Sequence, residues 1–385
     1  VNYYIHVSLI FALLIGCVTA NTYDSPNINN HESPELDFEE YQTAAFRHLN
    51  EFKKEIDERD KEKDIQLILP FEYKSPLEKE NHGRFLMIHG ITGTSYVWKE
   101  FAQELTEYGF DVRGILLSGH GTHPSDLRHA SAQSWLAEVQ AHVDGMLEES
   151  EEPLYIGGNS MGALIASIIA IRNPAIDGLL TVVPAYEVLL GPYLSFVDFV
   201  GFFTDWLEKK EEVNPVRYNS FPVSGAREVY LLLKEFKELI KFAPLKTPVF
   251  MALTTADNRI DVDYVRKFFD EEIRSRKKLI TYSHFVLEPY KNEEIVSSFV
   301  PEERIITQSH ISLLNSVRNP VFGKEGEIMQ SNKEYFLKNK KDFDEVWFLE
   351  DGFSEGVDRC TMRTTYNPHF DVLVRLVAEF FQQNS

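Results

Sequence analysis

At 385 residues, 43 % of them hydrophobic and 13 % aromatic, the chain has material for one large domain or two small ones, with a sizeable core. Its formal charge is −21, from 60 Asp and Glu against 39 Lys and Arg. That balance argues against nucleic acid as a partner and against electrostatic docking on anionic lipid.

The chain opens on an apolar run, Val7–Ile15, too short to span a bilayer and read as the h-region of an export segment covering residues 1–20. Leu14-Ile15-Gly16-Cys17 looks like a bacterial lipobox, in which Cys17 is lipidated and becomes the first mature residue. The competing reading is ordinary cleavage after Val18-Thr19-Ala20. The polar stretch 21–36, rich in Asn, Ser and Pro, would tether the rest off a membrane. The other cysteine, Cys360, is then unpaired, so no disulfide framework is expected. No N-x-S/T acceptor occurs, which favours a bacterial envelope over a eukaryotic secretory route. Soluble secretion or a periplasmic location is the alternative. A charged amphipathic helix over Phe38–Asp60 completes the segment 21–66.

Strands and helices then alternate. Arg84–Ile88 is an apolar strand running into His89-Gly90-Ile91-Thr92-Gly93. Trp98, Phe101, Ala102 and Leu105 recur at helical spacing, and Gly109 closes that helix. Asp111–Leu117 is the next strand, and Trp135, Val139, Val143 and Met146 mark the next helix. Pro153–Gly157 is a strand, Ala163–Ala170 a buried helix, and between them stands Gly158-Asn159-Ser160-Met161-Gly162. Strand, G-x-S-x-G, helix is a nucleophile elbow: the turn strains the serine and exposes its hydroxyl, and Cβ atoms at Gly158 or Gly162 would collide with neighbouring backbone. With this elbow downstream, His89-Gly90 reads as an oxyanion loop. The main-chain N–H groups of Ile91 and Met161 would be its two donors.

Leu179–Val183 is a further strand, after which 185–243 interrupts the alternation with Tyr186, Tyr193, Phe196, Phe199, Phe202, Phe203 and Trp206, then a helix through Leu231–Ile240. We read it as a cap whose apolar face lines an acyl pocket, or as extra helices packed on the core. A strand over Pro248–Leu253 leads to Asp257, the first carboxylate past it and the expected orienting acid. Asp261 and Asp263 compete, but fit better at the start of a helix over Val262–Ile273. His310, in Ile305–Ser312, is the expected base; His284, just past the strand Lys278–Tyr282, is its rival. Together Ser160, His310 and Asp257 form a nucleophile, a base and an orienting acid in the required chain order. The alternation predicts a mostly parallel central sheet with helices on both faces, whose core is divided into 67–184 and 244–385. The final helix carries Leu373, Val374, Val377 and Phe381.

Four blocks now carry a resemblance: the strand with His89–Gly93, the segment Leu117–Leu127 with its G-H-G-x-x-P, the elbow, and the acid and histidine segments. The chain resembles the α/β-hydrolase superfamily, and within it bacterial carboxylesterases and monoacylglycerol lipases, over about Ile68 to Val317 and again in the last helix. The resemblance implies an α/β-hydrolase fold with an inserted helical cap, and a serine esterase with no metal and no organic cofactor. Segments 285–304 and 319–367 depart from the family pattern as insertions. We read the chain as a monomeric, exported and lipid-anchored hydrolase of small acyl esters: short- to medium-chain esters, monoacylglycerols or lysophospholipids. The rivals are a thioesterase or acyltransferase with the same triad, and a non-catalytic binding protein on a hydrolase scaffold.

Overall fold

The computed structural model describes residues 37–56, 59–76, 81–189, 196–338, 343–350 and 361–383. The export segment, the linker, Cys17 and Cys360 lie outside the described residues, as does Tyr193. No helix among the described residues is long and apolar enough to cross a membrane.

The N-terminal helix is shorter than its sequence suggests. It spans Phe38–Phe52 (α1), capped by Asp37, and a second helix (α2) spans Lys61–Ile68. The break has a local cause. The side chain of Asp60 accepts hydrogen bonds from the N–H groups of Glu62 and Lys63, so Asp60 starts a helix instead of ending one.

Eight strands form one sheet in the order β1-β3-β2-β4-β5-β8-β9-β10. These are β1 (Phe71–Tyr73), β2 (Gly83–Ile88), β3 (Phe110–Gly114), β4 (Leu154–Asn159), β5 (Gly178–Val182), β8 (Val249–Thr254), β9 (Lys277–Ser283) and β10 (Glu293–Ser297). Only β1 runs antiparallel, against β3. Every residue of β2, β5 and β8 is buried, as expected of strands covered on both faces. Helix α3 (Tyr96–Thr106) sits close to β1 and β3 and the C-terminal helix Phe370–Gln382 close to α3; helices α4 (Ala132–Glu149) and α5 (Met161–Arg172) are neighbours in turn. From Met161 to Ala170 every residue of α5 is buried, because the helix is enclosed between the sheet and the long helix Val223–Phe242.

The sheet changes direction of growth at β2, whose neighbours are β3 on one side and β4 on the other. Ligands bind at the carboxyl ends of strands near such a switch point. The segment 285–304 extends the sheet: β10 pairs parallel with β9, pinned by a buried ion pair between Arg266 Nε and Glu293 Oε1 at 2.8 Å. The segment 319–367 supplies a helix, Glu327–Lys338, and a two-stranded parallel pair, β11 (Trp347–Leu349) with β12 (Thr361–Arg363). Ile305, Met329, Phe348, Met362 and Tyr366 form a small separate core beneath it.

Within 185–243, a short antiparallel pair, β6 (Trp206–Glu208) with β7 (Phe221–Pro222), precedes the helix Val223–Phe242. That helix starts earlier than its periodicity suggests and packs on α4 and α5. Of the aromatics singled out there, none among the described residues lines the cavity. Tyr186 is buried, its hydroxyl shared with Ser167 Oγ at 2.6 Å and its ring stacked on Phe236. Phe196, Phe199, Phe202 and Phe203 are exposed. Other residues of this segment line the cavity, among them the aliphatic Val188, Leu189, Val216 and Val229, and two aromatics, Tyr218 and Phe221.

Candidate active site

Strand β4 ends in Gly158 and Asn159, and α5 starts at Met161, which leaves Ser160 alone in the turn. Its backbone has φ 54° and ψ −116°, outside the regions open to ordinary L residues. Three hydrogen bonds hold it there. The Ser160 N–H donates to Val182 O at 3.0 Å, and its carbonyl accepts from Ala185 at 3.2 Å and from Leu164 at 3.3 Å. The flanking glycines are demanded by close backbone. A Cβ on Gly162 would lie 2.2 Å from Ile88 O, and one on Gly158 would lie 2.2 Å from the carbonyl carbon of Gly162.

Ser160 Oγ stands 3.1 Å from His310 Nε2, and His310 Nδ1 stands 2.5 Å from Asp257 Oδ2. Asp257 follows β8 and its side chain is fully enclosed. Its other oxygen accepts from the N–H groups of Arg259 at 2.8 Å and Ile260 at 3.2 Å. The carboxylate therefore holds a turn of backbone as well as the imidazole. Asp261 caps the helix Val262–Glu271 by accepting from Tyr264 N–H, and Asp263 sits in its first turn. His284 is exposed, with its ring against Phe285, and does not line the cavity.

Ile91 and Met161 both border the cavity beside Ser160. Among the described residues neither main-chain N–H has a protein acceptor. The loop bearing Ile91 is braced from below. His120 Nε2 lies 2.9 Å from Ile91 O, while His120 Nδ1 lies 3.0 Å from Ser118 O. Burial pushes His120 down to about 4, so the ring is neutral near pH 7 and its single N–H serves one of those two carbonyls. His89 is held well below its ordinary value by burial and by His120, whose ring is 4.6 Å away. It accepts from Leu117 N–H through Nε2 at 3.1 Å. Glu138, on α4, accepts from Ser118 N–H at 3.0 Å, and burial pushes its carboxyl up to about 7.

The segment 319–367 holds the histidine loop, a role with no sequence motif. Glu350, directly after β11, accepts from the His310 main-chain N–H through Oε2 and pairs with Arg363 through Oε1. Burial raises the Glu350 carboxyl, against the lowering effect of Arg363. Ser309 Oγ donates to Thr364 O at 2.6 Å, and Thr254 Oγ1 donates to Gln308 O at 3.1 Å. The loop is thus tied both to β8 and to the inserted strand pair.

Above these groups lies a cavity of about 620 Å³, lined by Ser160, His310, aliphatic and aromatic side chains and a few polar ones. Its size suits an organic molecule of drug-like dimensions. Among the described residues no group of three or more His, Cys, Asp or Glu is arranged to hold a metal.

Residues 79–220 match the family model described as serine aminopeptidase, S33. Over 160 residues, 40 % of the chain, the sequence is 25 % identical to a thermostable monoacylglycerol lipase of Bacillus sp. (strain H-257), and the match spans 62 % of that lipase's length. Similar solved structures include a Paleococcus ferrophilus monoacylglycerol lipase (TM-score 0.45, 18 % identity, 56 % of this chain and 88 % of that one). Another is a soluble variant of monoglyceride lipase from Saccharomyces cerevisiae (TM-score 0.47, 17 % identity, 56 % and 82 %). With its mostly parallel sheet, its serine in a strand-turn-helix and this match, the chain has the α/β-hydrolase fold and resembles the monoacylglycerol lipases and carboxylesterases that share it.

Proposed function

We propose that the protein hydrolyses carboxylic esters through an acyl-enzyme on Ser160. The observation that carries this is the chain of contacts from Ser160 Oγ to His310 Nε2 at 3.1 Å and from His310 Nδ1 to Asp257 Oδ2 at 2.5 Å. Ser160 Oγ attacks the ester carbonyl carbon while His310 takes its proton. The tetrahedral oxyanion accepts hydrogen bonds from the N–H groups of Ile91 and Met161. The C–O bond to the alcohol then breaks, and His310 returns the proton to the leaving oxygen. Water repeats the sequence on the acyl-enzyme and frees the carboxylic acid. Asp257 keeps the imidazole in the tautomer that has its proton on Nδ1 and stabilises the imidazolium.

The acyl group is short- to medium-chain, in esters of the monoacylglycerol or lysophospholipid type. The aliphatic lining and the similarity to a monoacylglycerol lipase support this. Each buried CH₂ adds only ~0.8 kcal/mol, so preference across chain length is graded. The protein acts as a monomer, exported and held to a membrane by lipid on Cys17. The test is hydrolysis of p-nitrophenyl esters from acetate to palmitate, with Ser160→Ala and fluorophosphonate labelling beside it. Activity and labelling that vanish together in the variant are expected. Activity surviving in Ser160→Ala would overturn the mechanism, and transfer of the acyl group to an added alcohol in place of water would make the protein an acyltransferase. Membrane partitioning unchanged in Cys17→Ala would remove the anchor.

A further inference from the structure

Three guanidinium groups border the cavity that holds Ser160: Arg217, Arg259 and Arg363. Glu208 is the one carboxylate of that lining among the described residues, and Lys210 bridges it at 2.5 Å. The ratio inverts that of the whole chain, where acids outnumber Lys and Arg by 60 to 39. Arg363 is neutralised by Glu350. Among the described residues Arg217 and Arg259 make no ion pair with a carboxylate, and Glu208 and Glu350 act on Arg217 only from beyond contact. Among the described residues the side chain of Arg217 reaches only Thr92 Oγ1, at 3.5 Å, the outer limit of a hydrogen bond. Burial, then the like charges of Arg363 and Arg259, push the Arg217 guanidinium down to about 10. Arg217 is half-buried and Arg259 exposed; a partly buried cation with no carboxylate in contact costs stability, and such groups concentrate where a ligand supplies the missing charge.

Both unpaired arginines are carried by backbone that also carries the reacting groups. Next to Arg217, the Tyr218 N–H donates to Thr92 O at 2.8 Å, on the loop of Ile91. The Arg259 N–H donates to Asp257 Oδ1 at 2.8 Å. Backbone hydrogen bonds thus tie the segment of Arg217 to the loop of Ile91 and that of Arg259 to Asp257.

We infer that the cavity takes an ester bearing an oxyanion, a carboxylate or a phosphate, lodged against Arg217 and Arg259 while its acyl carbon lies at Ser160. This rests on the ester-hydrolase reading above and narrows its substrate class. A guanidinium fork binds either oxyanion in bidentate fashion, whereas a neutral acylglycerol leaves both cations unpaired.

The test compares kcat/KM within two pairs that share an acyl chain. One pair is 1-decanoylglycerol 3-phosphate against 1-decanoylglycerol; the other is decanoyl glycolate against ethyl decanoate. The anionic member of at least one pair is expected to be preferred by roughly 10- to 100-fold, the range of a hydrogen bond to a charged group. The pair that shows it assigns phosphate or carboxylate. Arg217→Gln and Arg259→Gln should each pull the ratio toward one, and Arg217→Lys should restore part of it. Neutral esters cleaved as well as both anionic ones would overturn the inference. Calorimetry on full-length Ser160→Ala decides the matter without turnover. Octyl phosphate or octanoate should bind at least tenfold tighter than 1,2-octanediol, and lose that margin when Arg217→Gln is added. Equal binding of the diol overturns the anion subsite. Absence of turnover with Ser160 unlabelled by fluorophosphonate sinks the hydrolase reading instead.

Discussion

Replacing Ser160 by Ala and by Gly separates the strain of the elbow from its chemistry. At φ 54° and ψ −116°, the serine pays a backbone cost of about 1–3 kcal/mol. Alanine keeps the Cβ and hence the strain; glycine removes both. At an unstrained site the step from Ala to Gly costs about 0.5–1 kcal/mol in backbone entropy. Loss of a buried methyl adds up to ~0.8 kcal/mol. The glycine variant should then be less stable by roughly 1.5 kcal/mol. Here the released strain offsets that, so Ser160→Gly should lie between about 0.5 kcal/mol below and 1.5 kcal/mol above Ser160→Ala. The close backbone around the turn excludes relaxation of the alanine variant, because Gly158 and Gly162 already leave no free space. The assay is equilibrium urea unfolding of both variants, compared at equal slope through their midpoints. A glycine variant less stable than the alanine one by more than about 1 kcal/mol would refute the strain assigned to Ser160.

Asp257→Asn should lower kcat roughly 10⁴-fold with little change in KM, because an amide facing His310 Nδ1 favours the wrong tautomer; a loss under tenfold on p-nitrophenyl butyrate would remove Asp257 as the orienting acid. Glu350→Ala leaves the His310 N–H without its acceptor. It should cost kcat about 10- to 100-fold through misplacement of the ring, while Glu350→Gln, which keeps an acceptor, should cost less; equal kcat in both variants would dissociate Glu350 from the histidine. The carboxyl of Glu138 is raised from an ordinary 4.5 to about 7, so the folded state holds its proton more tightly than the unfolded one. Stability from this group is therefore full below pH 4.5 and lost as pH rises through 7. The loss is at most about 3–4 kcal/mol, at 1.36 kcal/mol per unit. Relative to wild type, Glu138→Gln should gain stability between pH 5 and pH 8 by urea unfolding, and a constant difference would show the carboxyl to be unperturbed.

What could be read from the sequence is what has a local signature. Strands buried on both faces are continuous apolar runs, so β2, β4, β5 and β8 are evident from composition alone. The serine announces itself by glycines that nearby backbone demands. Asp257 and His310 are legible as candidates because carboxylates and histidines past strand ends fall at the edge where ligands bind. The helix break before Asp60 was open to reading too, since Asp60 with Glu62 behind it is a cap signal, but a run of charged residues at helical spacing hides it. The orientation of the aromatics in 185–243 had no such signal, because exposure there depends on which helix packs beneath.

Glu350 and the cavity arginines belong to a third kind, fixed by contacts remote in sequence. Glu350 reaches His310 across 40 residues, and no spacing rule links the two. Yet Glu350 is a carboxylate directly after a short apolar run, Trp347–Leu349, the same strand-end pattern that singles out Asp257 after β8. The two carboxylates differ in what they meet: Asp257 meets the imidazole, and Glu350 meets the main chain that carries it. A segment of this kind steadies the His310 loop by giving its N–H a fixed acceptor in place of water. It also imports an arginine, which as the partner of that acceptor ends at the substrate cavity. Support of the histidine loop and one wall of the pocket thus come from a single pair, Glu350 with Arg363, so a change at either residue should move turnover, while the preference for anionic esters stays with Arg217 and Arg259.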